Sequence, residues 1–331
     1  MIIHYKKREA YLSSSGVFLI LALVICLLPI FFSYTKQSDY LLYVVVRIMI
    51  LAIYAISFDL LHGVTGIFSF GHAALLGSGA YTTAILVTRS HVSEIFFLIL
   101  VSVAVVAFLS LAMGILSSKV GGLAVFLITF AFVEVVRLFA ISDPLSITNG
   151  DNGLAGVTRG YFLGLLNVKP EFFFYYFTLS FLVFTFFTIK RITDSRLGDV
   201  FFAIRENSER VPFLGFSIRK FRVASFFLSG IFAGLAGSLM ALHESSVSPD
   251  ILHWFLSADA LFYVILGGRG TLIGPVLATS LMVVIQEILS DIIRHWLIFM
   301  GACLIALIFF LPKGLYPFIE KKILHKKEYS I

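Results

Sequence analysis

Residues 171–242 read EFFFYYFTLSFLVFTFFTIKRITDSRLGDVFFAIRENSERVPFLGFSIRKFRVASFFLSGIFAGLAGSLMAL. Two apolar runs, 171–189 and 223–242, each approach the roughly 20 residues that a helix needs to cross the hydrocarbon of a bilayer. Between them lies a polar stretch, 190–222, that holds eight Lys and Arg residues. Backbone polar groups inside lipid must be satisfied within the segment itself, so apolar runs of this length are helices.

The same alternation extends in both directions. Further apolar segments lie near 16–33, 40–61, 64–88, 95–117, 120–140, 251–267, 271–290 and 295–311. The chain of 331 residues is 59% hydrophobic and 13% charged, far from the quarter-charged balance of soluble domains. Residues 1–331 therefore read as a single all-α domain, a polytopic transmembrane helix bundle of about ten spans. The polar stretches are too short to bury a core of their own.

Charge sets the orientation. With the N-terminus inside, Lys6, Lys7, Arg8, Lys119, the loop 190–222, Arg269 and the tail after Pro312 share one side. The other side keeps Lys36, Arg89, Arg159, Lys169 and Arg294, while Arg47 and Arg137 fall within spans. Positive residues accumulate on cytoplasmic loops, so both termini are expected in the cytoplasm. A re-entrant pair at 251–267 and 271–290 would leave the termini unchanged. Topology thus accounts for the net charge of +6, and no nucleic-acid partner is needed. The first apolar run lacks a small-residue cleavage site and is read as a span. Cys26 and Cys303 lie in apolar runs and match no disulfide or metal spacing.

Two loops stand out. The outward loop, about 141–170, is rich in Gly, Asn, Asp and Thr and reads as a turn-built surface. In the inward loop, about 190–222, Leu197, Val200, Phe201 and Ile204 form one apolar stripe opposite Arg196, Asp199 and Arg205. That is a short amphipathic helix, either lying on the membrane or docking into a cytosolic motor. Asn207 or Ser208 begins a second helix of at most two turns, limited by Pro212 and ended by Gly215.

Glycines interrupt two apolar regions: Gly63, Gly66, Gly71, Gly77 and Gly79 in one, Gly267, Gly268, Gly270 and Gly274 in the other. Broken backbone at membrane depth tends to line a pathway, although glycine also serves ordinary close helix packing. Charges inside spans are costly, roughly 2.5–3.5 kcal/mol each at the centre. Glu134 and Arg137, at i and i+3, are placed to pair. Arg47 and Asp59, twelve residues apart on one span, face the interior or its edge, and Glu287 stands near the outer end of its span. Ser69, His72, Thr129 and Glu134, with Gly66, Gly71, Gly267 and Gly268, are the candidate pathway residues. The phosphate-loop pattern, H-E-x-x-H and G-x-S-x-G are all missing. Neither a catalytic residue, a metal site nor a cofactor is expected, and the scattered His62, His72, His243, His253 and His295 read as span-end residues.

Several stretches together resemble the inner-membrane permeases of branched-chain amino acid ATP-binding-cassette (ABC) importers. They are SFDLLHGVTGIFSFGHAALLGSGAYTTAIL (57–86), LAVFLITFAFVEVVRLF (123–139), TNGDNGLAGV (148–157), residues 195–242, SVSPDILHWFLSADALFYVILGGRGTLIGPVLAT (246–279) and FFLPKGL (309–315). Each is loose alone, but their order and spacing are specific. The resemblance implies a non-catalytic subunit in the bacterial inner membrane. Its implied partners are a second homologous permease, two cytosolic ABC ATPase subunits and a periplasmic substrate-binding protein. It implies Leu, Ile or Val as solute, with urea or short-chain amides as the alternative. It also places Leu197, Phe201, Arg205, Glu206, Asn207, Leu214 and Gly215 in the loop that engages the ATPase. Arg210, Val211 and Pro212 depart from the small residues expected there, as Arg269 does in its glycine turn. A proton-coupled secondary transporter using Asp59 or Glu134 is the rival reading.

Overall fold

The computed structural model describes residues 2–32, 38–164, 166–292, 296–310 and 314–328. Lys36, Arg294, His295 and Pro312 lie outside the described residues, as do the side chains of Lys6, Lys7, Arg8 and Cys303. The chain is helical nearly throughout. In order come α1 (Ile2–Phe32), α2 (Ser38–Asp59), α3 (His72–Thr88), α4 (Ile95–Ser117), α5 (Leu123–Ser142), α6 (Glu171–Thr193), α7 (Arg196–Asn207), α8 (Ile218–Glu244), α9 (Trp254–Gly267), α10 (Ile273–Ile292), α11 (Trp296–Phe310) and α12 (Leu315–Glu328).

Among the described residues six helices are long and apolar enough to cross a membrane: Ser38–Val64, Ile95–Ser117, Leu123–Ser142, Glu171–Thr193, Ile218–Glu244 and Ile273–Ser290. The apolar part of α1, Gly16–Phe32, and α9 are shorter. The segment expected at 64–88 begins as helix only at His72, because residues 65–71 are not helical. What reads in the sequence as one long apolar run is a break followed by a 17-residue helix.

The centre of the molecule is α2, α3 and α8. From Met49 to Thr65 every residue of α2 and its continuation is buried, the all-round pattern of an enclosed helix. Helix α8 packs most extensively on α3 and α4, and small residues permit that approach. A Cβ on Gly237 would strike the Leu76 carbonyl, and one on Gly79 would come within 2.6 Å of the Gly234 carbonyl. Ser102 donates to the Gly79 oxygen (3.0 Å), and Thr83 to Ser238 (2.8 Å). Helix α5 shows only a narrow buried stripe, Val125, Thr129, Val133 and Ala140. Helix α1 lies against α6 through the Phe18–Phe186 stack, 3.6 Å between centroids.

At one end of the bundle, residues 143–170 form the expected turn-built surface, with short strands added. Strand β1 (Leu154–Ala155) pairs with β4 (Ser246–Val247), and β2 (Tyr161–Phe162) with β3 (Leu166–Asn167). Arg159 pairs with Glu171 at 2.9 Å and donates to the Leu242 oxygen at 3.0 Å. Asp143 closes α5 in a left-handed conformation. Its carboxylate accepts the backbone N–H groups of Ile147 (2.7 Å), Thr148 (2.9 Å) and Asn149 (3.0 Å).

The bond from the Thr148 N–H leads in holding the Asp143 carboxyl below the usual carboxylate range. A lowered folded-state value means that its contribution to loop order is complete above the ordinary value, about 3.9. That contribution drains away as the pH falls through the folded-state value. Cleavage of the 143–155 loop by an acid-active protease is expected to accelerate below about pH 4. In Asp143→Asn the rate should lose this pH dependence; an unchanged profile would refute the assignment.

Candidate functional site

At the opposite end lies the loop carrying α7. The stripe read from the sequence is buried at Val200, Phe201 and Ile204, with Leu197 partly so and Gly198 added to it. Asn207 Oδ1 accepts the N–H groups of Glu209 (3.1 Å) and Arg210 (3.2 Å) and turns the chain. The second helix is a single 3₁₀ turn, Val211–Leu214, with Pro212 in its first positions, where a missing N–H costs little. Gly215 ends it at φ 83°. Val211 is buried against Val200 and Ile204, so the turn is pinned from below. Phe213, 90% exposed, and Leu214, 67% exposed, are left on its outer side.

Phe213 is the residue that the sequence reading missed. Its only local signal is an aromatic ring beside a proline in a charged loop. An apolar pattern counted by periodicity places such a ring inside rather than out.

The end of α2 nearest α7 is broken. It continues as a π turn, Leu60–Val64, and then runs irregularly to Gly71. Thr65 donates to the Leu60 oxygen (3.0 Å) and meets Ser225 of α8 (2.7 Å). Gly66, at φ 77°, leaves about 3.0 Å between its ideal Cβ and the Arg205 side chain. Deeper in the bundle the candidates converge. Ser69 accepts the Gly71 N–H (3.2 Å), Thr129 accepts the Phe70 N–H (3.0 Å), and Ser257 bridges the Phe70 carbonyl and the Ala73 N–H. His72 is fully buried, its Nε2 2.9 Å from Ser57 Oγ. Ser57 spends its own proton on the Tyr54 carbonyl (2.7 Å). His72 Nε2 is therefore the donor, and Nδ1 has no hydrogen-bond partner. Glu134, on the same helix as Thr129, pairs with Arg137 at 3.7 Å.

The second break is the turn between α9 and α10. Gly268 and Gly270 have positive φ, and so does the buried Leu272, at 60°. Gly267 lies against Gly274 and Pro275, and Gly268 against Gly314. Asp59, fully buried at the end of α2, accepts the N–H groups of Gly270 (2.7 Å) and Leu272 (3.2 Å).

Arg205 joins both breaks to α7. Its guanidinium donates to the Gly63 carbonyl, and a Cβ on Gly270 would lie 3.2 Å from its Nη1. Beside it opens a cavity of about 660 Å³ lined by Thr65, Gly66, Gly122, Glu206, Asn207 and Arg222. Arg222 donates to the Val120 oxygen at 2.6 Å, which puts the 118–122 turn at this same end. Arg269 and Arg205 also lie close enough to His62 to act on it electrostatically. Among the described residues no group of three or more His, Cys, Asp or Glu is placed to hold a metal ion.

A family model described as branched-chain amino acid transport system / permease component matches residues 40–308. The high-affinity branched-chain amino acid transport system permease protein LivM of Escherichia coli strain K12 is 27% identical over 293 residues, covering 81% of this chain and 68% of that protein. LivM of Salmonella typhimurium is equally similar. The probable branched-chain amino acid transport permease protein LivM of Methanocaldococcus jannaschii is 30% identical over 165 residues, 44% of this chain and 46% of that protein. No solved structure matches the chain.

Proposed function

This chain belongs to the branched-chain amino acid transport system permease family, and from that premise we propose how its geometry serves import. It is a multi-pass membrane permease subunit that works with ATPase and binding-protein partners. The full proposal is an assembly with a second homologous permease, two cytosolic ABC ATPases and a periplasmic binding protein, in the bacterial inner membrane. The domain 1–331 crosses about ten times with both termini in the cytoplasm. α1, α3, α9 with the 3₁₀ turn Pro249–Leu252 before it, and α11 complete the six longer crossings. Leu, Ile and Val are the solutes. The subunit carries no chemistry of its own.

The observation that carries the proposal is the reach of Arg205. One side chain of the loop helix hydrogen-bonds the π turn of α2 and lies beside the α9–α10 turn at Gly270. A push on α7 from an ATPase therefore arrives at both broken segments. The path lies past Gly66, Ser69, Gly71, His72 and Thr129, where hydroxyls and an imidazole offer polar contacts without a carboxylate or guanidinium. A zwitterion can be solvated there without being trapped. Leu197, Phe201, Glu206, Asn207, Leu214 and Gly215 shape and present the loop. Gly267 and Gly268 give the second break its close packing, and Glu134 flanks the path on α5.

Reconstitution tests this reading. Leucine uptake is expected only with the ATPase subunits, ATP and binding protein present. Arg205→Glu combined with Gly215→Pro is expected to cut uptake at least tenfold while ATP hydrolysis and membrane level persist. Uptake by this chain alone, driven by a proton gradient, would overturn the proposal in favour of a secondary transporter. Competition by urea or acetamide but not by valine would overturn the choice of solute.

A further inference from the structure

Asp59 has no counterpart in the coupling scheme above, yet its surroundings are unusually committed. It is wholly buried, and its two carboxylate oxygens accept two backbone N–H groups from a turn 211 and 213 residues away in sequence. Gly63, one helical turn on, lies so close that a Cβ there would strike Asp59 Oδ1 and come within 2.5 Å of the Gly270 nitrogen. The turn that it grips is one that a chain does not adopt cheaply. Leu272 sits at φ 60°, a region that only glycine and, less often, Asn or Asp visit routinely, and such strain persists only where surroundings over-determine it. Asp59 supplies that determination, because one of its oxygens holds the N–H of the strained residue itself.

From this we infer that Asp59 is a positioning residue for transport. It clasps the α9–α10 turn onto the end of α2, so that the two breaks beside Arg205 move as one body. Without the clasp, Arg205 would push on the Gly63 carbonyl while the 268–272 turn relaxed independently. A carboxylate suits this duty better than an amide. Both of its oxygens accept, whereas an Asn presents one acceptor and one donor, and the donor would face an N–H. The inference rests on the import reading given above.

Asp59→Asn is the test, since it keeps the volume and removes one acceptor. Two readouts are taken on the whole reconstituted complex. Hydrogen exchange of the peptide spanning 264–274 is expected to quicken at least tenfold. ATP hydrolysed per leucine imported is expected to rise at least tenfold, with assembly retained. Exchange that stays slow would overturn the clasp, and faster exchange with an unchanged coupling ratio would overturn its role in transport. Should Asp59→Asn fail to assemble, Asp59→Glu, which keeps both acceptors on a longer arm, is expected to hold the slow exchange of 264–274 and a wild-type coupling ratio, and an assembled Asp59→Glu complex with fast exchange there would overturn the clasp. Loss of assembly in both variants would reduce Asp59 to a structural residue and sink the proposal. If the wild-type complex imports none of the three amino acids, the transport reading alone fails, and the exchange measurement still decides the clasp.

Discussion

Phe213→Ala is expected to leave the chain folded and in the membrane while weakening its hold on the ATPase about thirtyfold or more, the 2 kcal/mol typical of an aromatic interface anchor. The fold has little stake in this ring, which is 90% exposed. The turn that presents it is fixed by other means: Val211 buried beneath, Pro212 within, Gly215 closing it. An aromatic ring held rigidly in water, next to an exposed Leu214, has nothing to gain unless a partner covers it. The competing occupant is lipid, since an interfacial loop would bury the same ring in the membrane surface. Titrating the ATPase onto the chain in nanodiscs separates the two. A wild-type affinity in Phe213→Ala, with weaker partitioning of a loop peptide into vesicles, would assign the ring to the membrane.

The second large effect concerns the α3–α8 contact. Gly237→Leu is expected to abolish recovery of folded protein, and Gly237→Ala to cost about 1–3 kcal/mol, the usual penalty of overpacking. The reason is that the obstruction is backbone. A Cβ at 237 meets the Leu76 carbonyl and lies 2.9 Å from the Ala80 nitrogen, and neither can swing aside as a side chain would. The neighbouring Gly79–Gly234 approach and the Thr83–Ser238 hydrogen bond would be pried apart with it. Gly16→Ala provides the contrast, because no atom lies within 4 Å of its added methyl, and a helical alanine is if anything favoured. Thermal unfolding in detergent should fall for Gly237→Ala and hold for Gly16→Ala. Equal midpoints would contradict the packing.

Local patterns were legible in the sequence wherever one helix decides the outcome. The apolar stripe of α7 and the Glu134–Arg137 pair needed only the helical period, and both stand as read. Asp59 was legible as an inward charge, because a carboxylate facing lipid is too costly. What it binds was not, since Gly270 and Leu272 come from the far side of the chain and offer backbone, which leaves no residue-type signature. The glycines left a break and close packing equally open, and gave no sign of a π turn followed by seven irregular residues. Gly267 meeting Gly274, and Gly66 meeting Arg205, are tertiary approaches that spacing cannot encode. Strands of two residues, such as β1 and β4, carry no usable alternation. Phe213 carries no such mark, since an aromatic ring beside a proline reads the same whether it faces in or out.

The ribbon formed by β1 and β4 has a consequence for synthesis. Its halves are separated by some ninety residues, among them α6, α7 and α8. Gly156 and Val157 likewise wait for the Ser245 carbonyl. As the chain leaves the ribosome, β1 and the two residues after it therefore have no mate until α8 has been made. This edge of the loop is a late-setting part of the molecule. A ribosome stalled before residue 245 would leave it unpaired, however well the earlier helices had inserted.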